Sequence, residues 1–223
     1  MSTNLPTDDD ALLRDLDQLY SAVVCDVLDT LGARSQALPA HIRPLSPRTR
    51  IAGRVFSARA VSVTEDPAEP YKLEIAAVDS MRNGDVLVVD AGDDRQCGFW
   101  GELLTTACLY KGVRGVVMSA CTRDMWKIKE TTFPVFGIGY HPADSRARAD
   151  IIEIGKPIVL GGVAISTGDF LLGDEDGVVI IPRALAPEAI RLAMAKVAGE
   201  NLAREDLAKG VPMGEVFAKY GIL

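Results

Sequence analysis

The sequence is short of the residues that build several common kinds of site. Two histidines, His41 and His141, leave no material for a histidine-rich metal centre. Cys25, Cys97, Cys108 and Cys121 show no CxxC pairing and sit in or beside apolar segments. That pattern argues against a zinc knot or a disulfide frame and for reduced structural thiols. No apolar run approaches membrane-spanning length, and the first ten residues lack the basic start and apolar core of a signal peptide. A cytoplasmic protein that does not engage membranes is the expectation. Positive charge is also in deficit. The 24 Lys and Arg face 31 Asp and Glu, for a net charge of −7, which argues against a nucleic-acid partner. A small anionic metabolite stays open, because the local field of a cleft outweighs global charge. A Rossmann site is missing too: no GxGxxG opens a helix after the first strand, and Gly137-Ile138-Gly139 leads into Tyr-His-Pro.

Apolar material is plentiful: 48% of the 223 residues are hydrophobic, enough for one large domain over residues 1–223. Thr7-Asp8-Asp9-Asp10 caps a first helix carrying Leu12, Leu13, Leu16, Leu19 and Tyr20, and a second runs from Ala22 to Leu31 and stops at Gly32. These N-terminal helices fill residues 1–34. Residues 35–50, with three prolines, read as irregular, and residues 53–63 alternate with the period of a strand. Residues 71–80 predict a helix, and Val86-Leu87-Val88-Val89 a strand covered on both faces. Residues 91–96 predict a polar loop, residues 102–111 a helix, and residues 115–120 and 134–139 two further strands. Short strands follow at 151–154, 158–160, 163–165, 169–172 and 178–181, and a C-terminal helical extension, 185–223, holds helices over 187–207 and 213–220. Helices alternate with strands in the middle and strands run together later, which predicts an α/β protein with mixed sheets.

Chemistry concentrates between Gly98 and Asp124. If a helix opens at Gly101-Glu102-Leu103-Leu104, the amides of Leu103 and Leu104 have no carbonyl within the helix and form an anion hole. A Glu there also serves as an ordinary helix cap, and a lone Arg-Asp pair is ordinarily a solvated turn. The combination says more, because Arg123-Asp124 follows a strand too apolar to be solvated. Arg123 offers a planar fork for a carboxylate or enolate oxygen, and Asp124 a hard oxygen ligand for a divalent cation. Glu102 would orient a metal-associated water.

An acidic residue, twenty residues, then Arg-Asp resembles the signature of the 4-hydroxy-4-methyl-2-oxoglutarate aldolase family, class II pyruvate aldolases related to the RraA-like regulators of RNase E. The resemblance extends over residues 21–32, 53–61, 83–85, 101–124, 134–142 and 161–179, and Asp124 is the part that non-enzymatic regulators typically lack. It implies an α/β/β/α sandwich of the swivelling-domain type with terminal helices, assembled as a homotrimer or dimer of trimers with sites between subunits. It implies pyruvate bound by Gly101, Glu102, Leu103, Leu104 and Arg123, and a metal (Mg, Mn or Co) on Asp124 with Glu102 reaching it through water. Glu200 from a neighbouring subunit, or else Glu205, would approach the metal, and Arg146 or Arg148 the distal end of the substrate. Family members commonly carry Asp where this chain has Glu102, a difference that moves the carboxylate about 1.5 Å.

The expected activity is retro-aldol cleavage of a 4-hydroxy-2-oxo acid, with oxaloacetate decarboxylation through the same enolate. Arg123 and Glu102 carry the catalysis. A Schiff-base lysine, Lys127 or Lys129, and a non-catalytic regulator that binds RNase E are the competing readings.

Overall fold

Four consecutive apolar side chains, residues 86–89, need cover on both sides, and that need organises the molecule. In the computed structural model, which describes residues 8–222, Val86 and Val88 join one buried cluster and Leu87 and Val89 another. Each such side chain, fully covered, contributes roughly 2 kcal/mol. They lie on β3 (Asp85–Trp100), flanked in parallel by β2 (Ile51–Ser62) and β4 (Gly115–Thr122). Beyond β4 lie β5 (Val135–Gly137), parallel, and β1 (Arg43–Pro44), antiparallel. Beyond β2 lie β10 (Phe170–Asp174) and β11 (Gly177–Ile181), both antiparallel to their neighbours. Two short strands extend the flanks: β6 (Gly139–Tyr140) on β4 and β7 (Ala149–Ile154) on β2. Ala37 bridges Val179 of β11 while β1 pairs β5, so residues 37–44 span the two edges and bring the mixed sheet close to a barrel.

The period-two rule sorts side chains into layers. Leu171, Val178 and Ile180 face inward with Val55, Val117 and Phe136, and the hairpin of β8 (Ile158–Leu160) and β9 (Val163–Ile165) plugs that interior. Their neighbours Phe170, Leu172, Val179 and Ile181 face outward under α1 (Asp9–Leu16), α2 (Ser21–Thr30) and α6 (Ala186–Ala208). On the opposite side, α3 (Lys72–Ser80) and α4 (Glu102–Lys111) cover Leu87, Val89, Val116 and Met118 through Ala77, Val78 and Cys108. Helix, sheet, sheet, helix is the expected sandwich, and the terminal helices, ending in α7 (Met213–Tyr220), are where the sequence predicts them. All four cysteines are free, three of them buried.

Thr7, expected in the first cap, lies outside the described residues. Asp8 caps α1 by accepting from the Asp10 amide at 3.1 Å. Asp9 then accepts from Arg54 at 2.9 Å and Arg183 at 2.8 Å, and Arg54 also meets Asp85 at 2.7 Å, which ties α1 to β2 and β3.

Two expectations are corrected. The polar run 91–96 is not a loop: β3 continues through it to Trp100, with register shifts that set Asp94 opposite Ala120, Gly98 opposite Cys121 and Trp100 opposite Thr122. Bulges absorb the extra residues, so polar composition and strand pairing coexist. The strand expected over 134–139 is two strands, β5 and β6, with a break at Ile138 before Gly139, whose φ is +152°.

Candidate functional site

The bulged end of β3 arrives beside the end of β4, which fixes the geometry of the loops that follow. The Trp100 carbonyl accepts from the Arg123 amide and from the Thr122 hydroxyl, both at 2.8 Å. The buried Trp100 indole donates to Thr105 Oγ1 at 2.9 Å, and that hydroxyl donates to the Gly101 carbonyl at 3.1 Å. Its ring stacks on Phe133 at 5.9 Å. Gly101 therefore ends β3 and caps α4 in one rigid corner, with Arg123 and Asp124 beside it.

Helix α4 opens where the sequence places it. The Glu102 amide donates to Asp124 Oδ2 at 3.2 Å, and the Thr105 amide to the Gly101 carbonyl at 3.2 Å. Helical geometry leaves the amides of Leu103 and Leu104 without a carbonyl of their own. A β-carbon added at Gly101 would stand 2.9 Å from Asp124 Oδ2, so the absence of a side chain there lets this carboxylate approach. Asp124 itself sits at φ +58°, an uncommon region for a residue other than glycine. The short helix α5 (Met125–Ile128) follows it.

Gly101, Glu102, Leu103, Leu104, Arg123 and Asp124 line one cavity of about 350 Å³. Every residue that the sequence assigned to substrate and metal in the 101–124 stretch is thus in one place. The Glu102 carboxylate, however, accepts from Thr106 Oγ1 at 2.9 Å, one turn along α4. The longer side chain folds back on its own helix.

Among the further residues that border this cavity, three with ionisable side chains were not singled out in the sequence: Tyr71, Glu74 and Asp144. Asp144 Oδ1 lies 3.2 Å from Arg123 Nη2, and its Oδ2 accepts from the Tyr71 hydroxyl at 2.7 Å. The Gly98 amide donates to the Ala143 carbonyl at 2.8 Å, and Gly98 forms a bridge to Asp144, so β3 holds the loop in place. Burial works to raise the Asp144 pKa, but the Tyr71 hydrogen bond, the Arg123 charge and the amides of Ser145 and Arg146 hold it below the ordinary carboxylate value. Burial and the hydrogen bond to Asp144 push Tyr71 up to about 12, so it stays a donor. Glu74, on α3, is 8% exposed. Burial first, then Asp144 and Asp150, raise it to about 7 against the opposing pull of Arg123.

The remaining candidates lie elsewhere. Arg146 is paired with Asp66 at 2.8 Å, and Arg148 donates to the Asp144 backbone carbonyl at 3.0 Å. Glu200 accepts from the Tyr20 hydroxyl of its own chain, and Glu205 is exposed on α6. Lys127 is held by Glu130 at 2.6 Å, which raises its pKa and keeps it protonated, contrary to what a Schiff-base amine needs. Lys129 lies 5.9 Å over the Tyr140 ring.

No group of three His, Cys, Asp or Glu side chains that could hold a metal occurs among the described residues of one chain. The oxygen donors at the cavity suit a cation that keeps most of its waters, since magnesium is commonly held by one or two carboxylates plus oxygens of the substrate. Asp124, whose carboxylate takes only one backbone amide, fits that role. No helix of the described residues is long and apolar enough to cross a membrane.

A family model described as RraA-like, Aldolase/RraA, matches residues 21–180. A 4-hydroxy-4-methyl-2-oxoglutarate aldolase of Thermus thermophilus is 31% identical over 164 residues, 74% of this chain and 94% of that protein. Protein DlpA of Legionella pneumophila is 27% identical over 209 residues, 94% of this chain; the matched region spans only 34% of that longer protein. Among solved structures, Streptomyces coelicolor RraAS2, described as an unusual member of the RNase ES inhibitor RraA protein family, superposes with a TM-score of 0.79. It is 27% identical, with 88% of this chain and 98% of that one covered.

Proposed function

The chain belongs to the RraA-like family, and on that premise we propose that its cavity is the active site of a divalent-metal-dependent lyase. The reaction is cleavage of a 4-hydroxy-2-oxo acid to pyruvate and a second oxo compound, with oxaloacetate decarboxylation as a companion activity. One observation carries this reading: Arg123, Asp124 and the amides of Leu103 and Leu104 border the same cavity. The two amides receive the substrate carboxylate at the positive end of α4. Arg123, kept in place by Asp144 and Tyr71, balances the negative charge that develops on the keto oxygen as the carbon–carbon bond breaks. A divalent cation (Mg, Mn or Co), held by Asp124 and reached by Glu102 through water, would polarise that same oxygen. Glu102 carries the proton between solvent and the cavity; to do so it must leave Thr106, a rotation open to a half-exposed side chain.

The exposed apolar side chains Leu103, Tyr110 and Trp126, at 80%, 94% and 75% exposure, support a homo-oligomer, trimer or dimer of trimers, that covers α4 and α5. In such an assembly a neighbour's Glu200 can complete the cation's surroundings.

A second reading, a non-catalytic regulator that binds RNase E, draws more support from the comparisons. The Streptomyces relative is described by its link to RNase ES inhibition, and a single chain offers no three-residue donor group among its described residues. The cavity favours the lyase, because a protein-binding regulator has no use for a guanidinium, a carboxylate and free amides in one recess. A screen of 4-hydroxy-2-oxo acids in the presence of each metal, scored by pyruvate release and run beside a pull-down against RNase E, separates the two. Turnover supports the lyase. Binding without turnover at any metal supports the regulator.

A further inference from the structure

The side chains of this cavity carry more negative than positive charge, by a margin that a single divalent cation would not cancel. Among the described residues Arg123 is the one cationic side chain bordering it, against four carboxyls, Glu74, Glu102, Asp124 and Asp144. An oxo acid adds at least one more negative charge, and in a partly dry recess that repulsion is far stronger than in water. Three of the four carboxyls have hydrogen-bond donors of their own. Asp144 takes the Tyr71 hydroxyl and Arg123, Asp124 takes the Glu102 amide, and Glu102 takes the Thr106 hydroxyl. Glu74 has no hydrogen-bond donor among the described residues and is the most buried of the four. The groups around it are mostly acidic. Asp150 faces it from β7, Asp144 from the loop after β6 and Glu102 from the start of α4; Tyr71 stands at the N-cap of its own helix, and among the described residues Arg123 alone opposes them.

We infer that Glu74 sets the charge specificity of this cavity: an anionic oxo acid enters together with one proton from solvent, which settles on the Glu74 carboxyl. No bond of the ligand changes in this step. Neutral Glu74 admits the anion and ionised Glu74 repels it, so Glu74 is a specificity-determining residue whether or not turnover follows. The inference rests on the anion-binding half of the proposed function and not on the cleavage. A pKa of about 7 in the free protein leaves the site poised near neutrality.

Calorimetric titration of the full chain with pyruvate in magnesium chloride, repeated in two buffers of different ionisation enthalpy near about pH 7.5, measures the proton directly. Wild type is expected to take up more than half a proton per pyruvate, and Glu74→Gln none. Wild-type affinity is expected to fall about tenfold per pH unit above about pH 7, while Glu74→Gln stays flat and Glu74→Asp restores the dependence. Pyruvate binding by wild type with no proton uptake overturns the inference, and that result needs no variant to fold. Equal uptake by wild type and Glu74→Gln also overturns it. Absence of pyruvate binding in both overturns the anion site as well, whereas proton-linked binding without lyase turnover removes only the lyase.

Discussion

Arg123 Nη2 stands 3.2 Å from Asp144 Oδ1, and the same carboxylate takes the Tyr71 hydroxyl on its other oxygen at 2.7 Å. The contact joins the end of β4, the loop after β6 and the start of α3 in one polar chain. It aims the guanidinium while leaving it partly open to the cavity, which is what charge stabilisation of a developing oxyanion requires.

Asp144→Asn is expected to lower kcat about tenfold without raising KM, because the anion still finds a cation but the cation is no longer aimed. Steady-state kinetics on oxaloacetate checks this. A rise in KM with kcat unchanged would instead make Asp144 a substrate-binding group.

Gly101→Ala tests the close approach of the carboxylate. The backbone there, at φ −143°, is open to any residue, but the added methyl would lie 2.9 Å from Asp124 Oδ2 and displace it. The melting temperature is expected to shift by no more than about 4 °C, and the magnesium concentration for half-maximal activity to rise about tenfold. An unchanged magnesium requirement would remove Asp124 from the cation's surroundings.

Glu74 also leaves a mark on stability. Its folded pKa of about 7 lies above the ordinary glutamate value of 4.5, so the folded chain holds a proton that the unfolded chain has released. Stability therefore falls as pH rises from about 4.5 to about 7, by up to about 3 kcal/mol, and is level above. Urea melts across this range should show the decline in wild type and little of it in Glu74→Gln.

The sequence made the two ends of the β3–α4–β4 unit readable, because a helix start and a strand end have local signatures: Gly101 before an apolar helix, Arg123 after an apolar strand. It also made the burial of β3 readable, since the unbroken apolar run 86–89 needs cover on both faces. Tyr71, Glu74 and Asp144 were not readable. Their meeting depends on β7 pairing with β2 and on β6 pairing with β4, and no spacing along the chain encodes those pairings. Residues 91–96 misled for a related reason: their polarity reads as a loop, while bulges let them stay in the sheet. The turn of Glu102 toward Thr106 was hidden because a residue type fixes a side chain's reach but not its rotamer.

The tie between α1 and the sheet gives a prediction independent of the cavity. Burial works to raise the Asp9 pKa, but Arg183 and Arg54 outweigh it and hold Asp9 below its usual value. Its contribution is complete above the unfolded pKa near 3.8 and is lost as pH falls through the lower folded value. Asp9→Asn leaves Arg54, whose side chain is 7% exposed, with one carboxylate, Asp85, and the Asn83 carbonyl, and should cost about 2 kcal/mol at neutral pH. Urea midpoints should show this difference shrinking in acid.

On the proposed function, Asp124 and Arg123 act together with the start of α4 in catalysis. Pyruvate formation from a 4-hydroxy-2-oxo acid and from oxaloacetate, measured with Mg, Mn or Co for wild type and Asp124→Ala, tests it most directly. Metal-dependent turnover of both substrates is expected, abolished by EDTA and reduced at least about 100-fold for both in the variant. A folded wild type that turns over neither substrate with any of the three metals, or a variant that loses only one of the two activities, would contradict it.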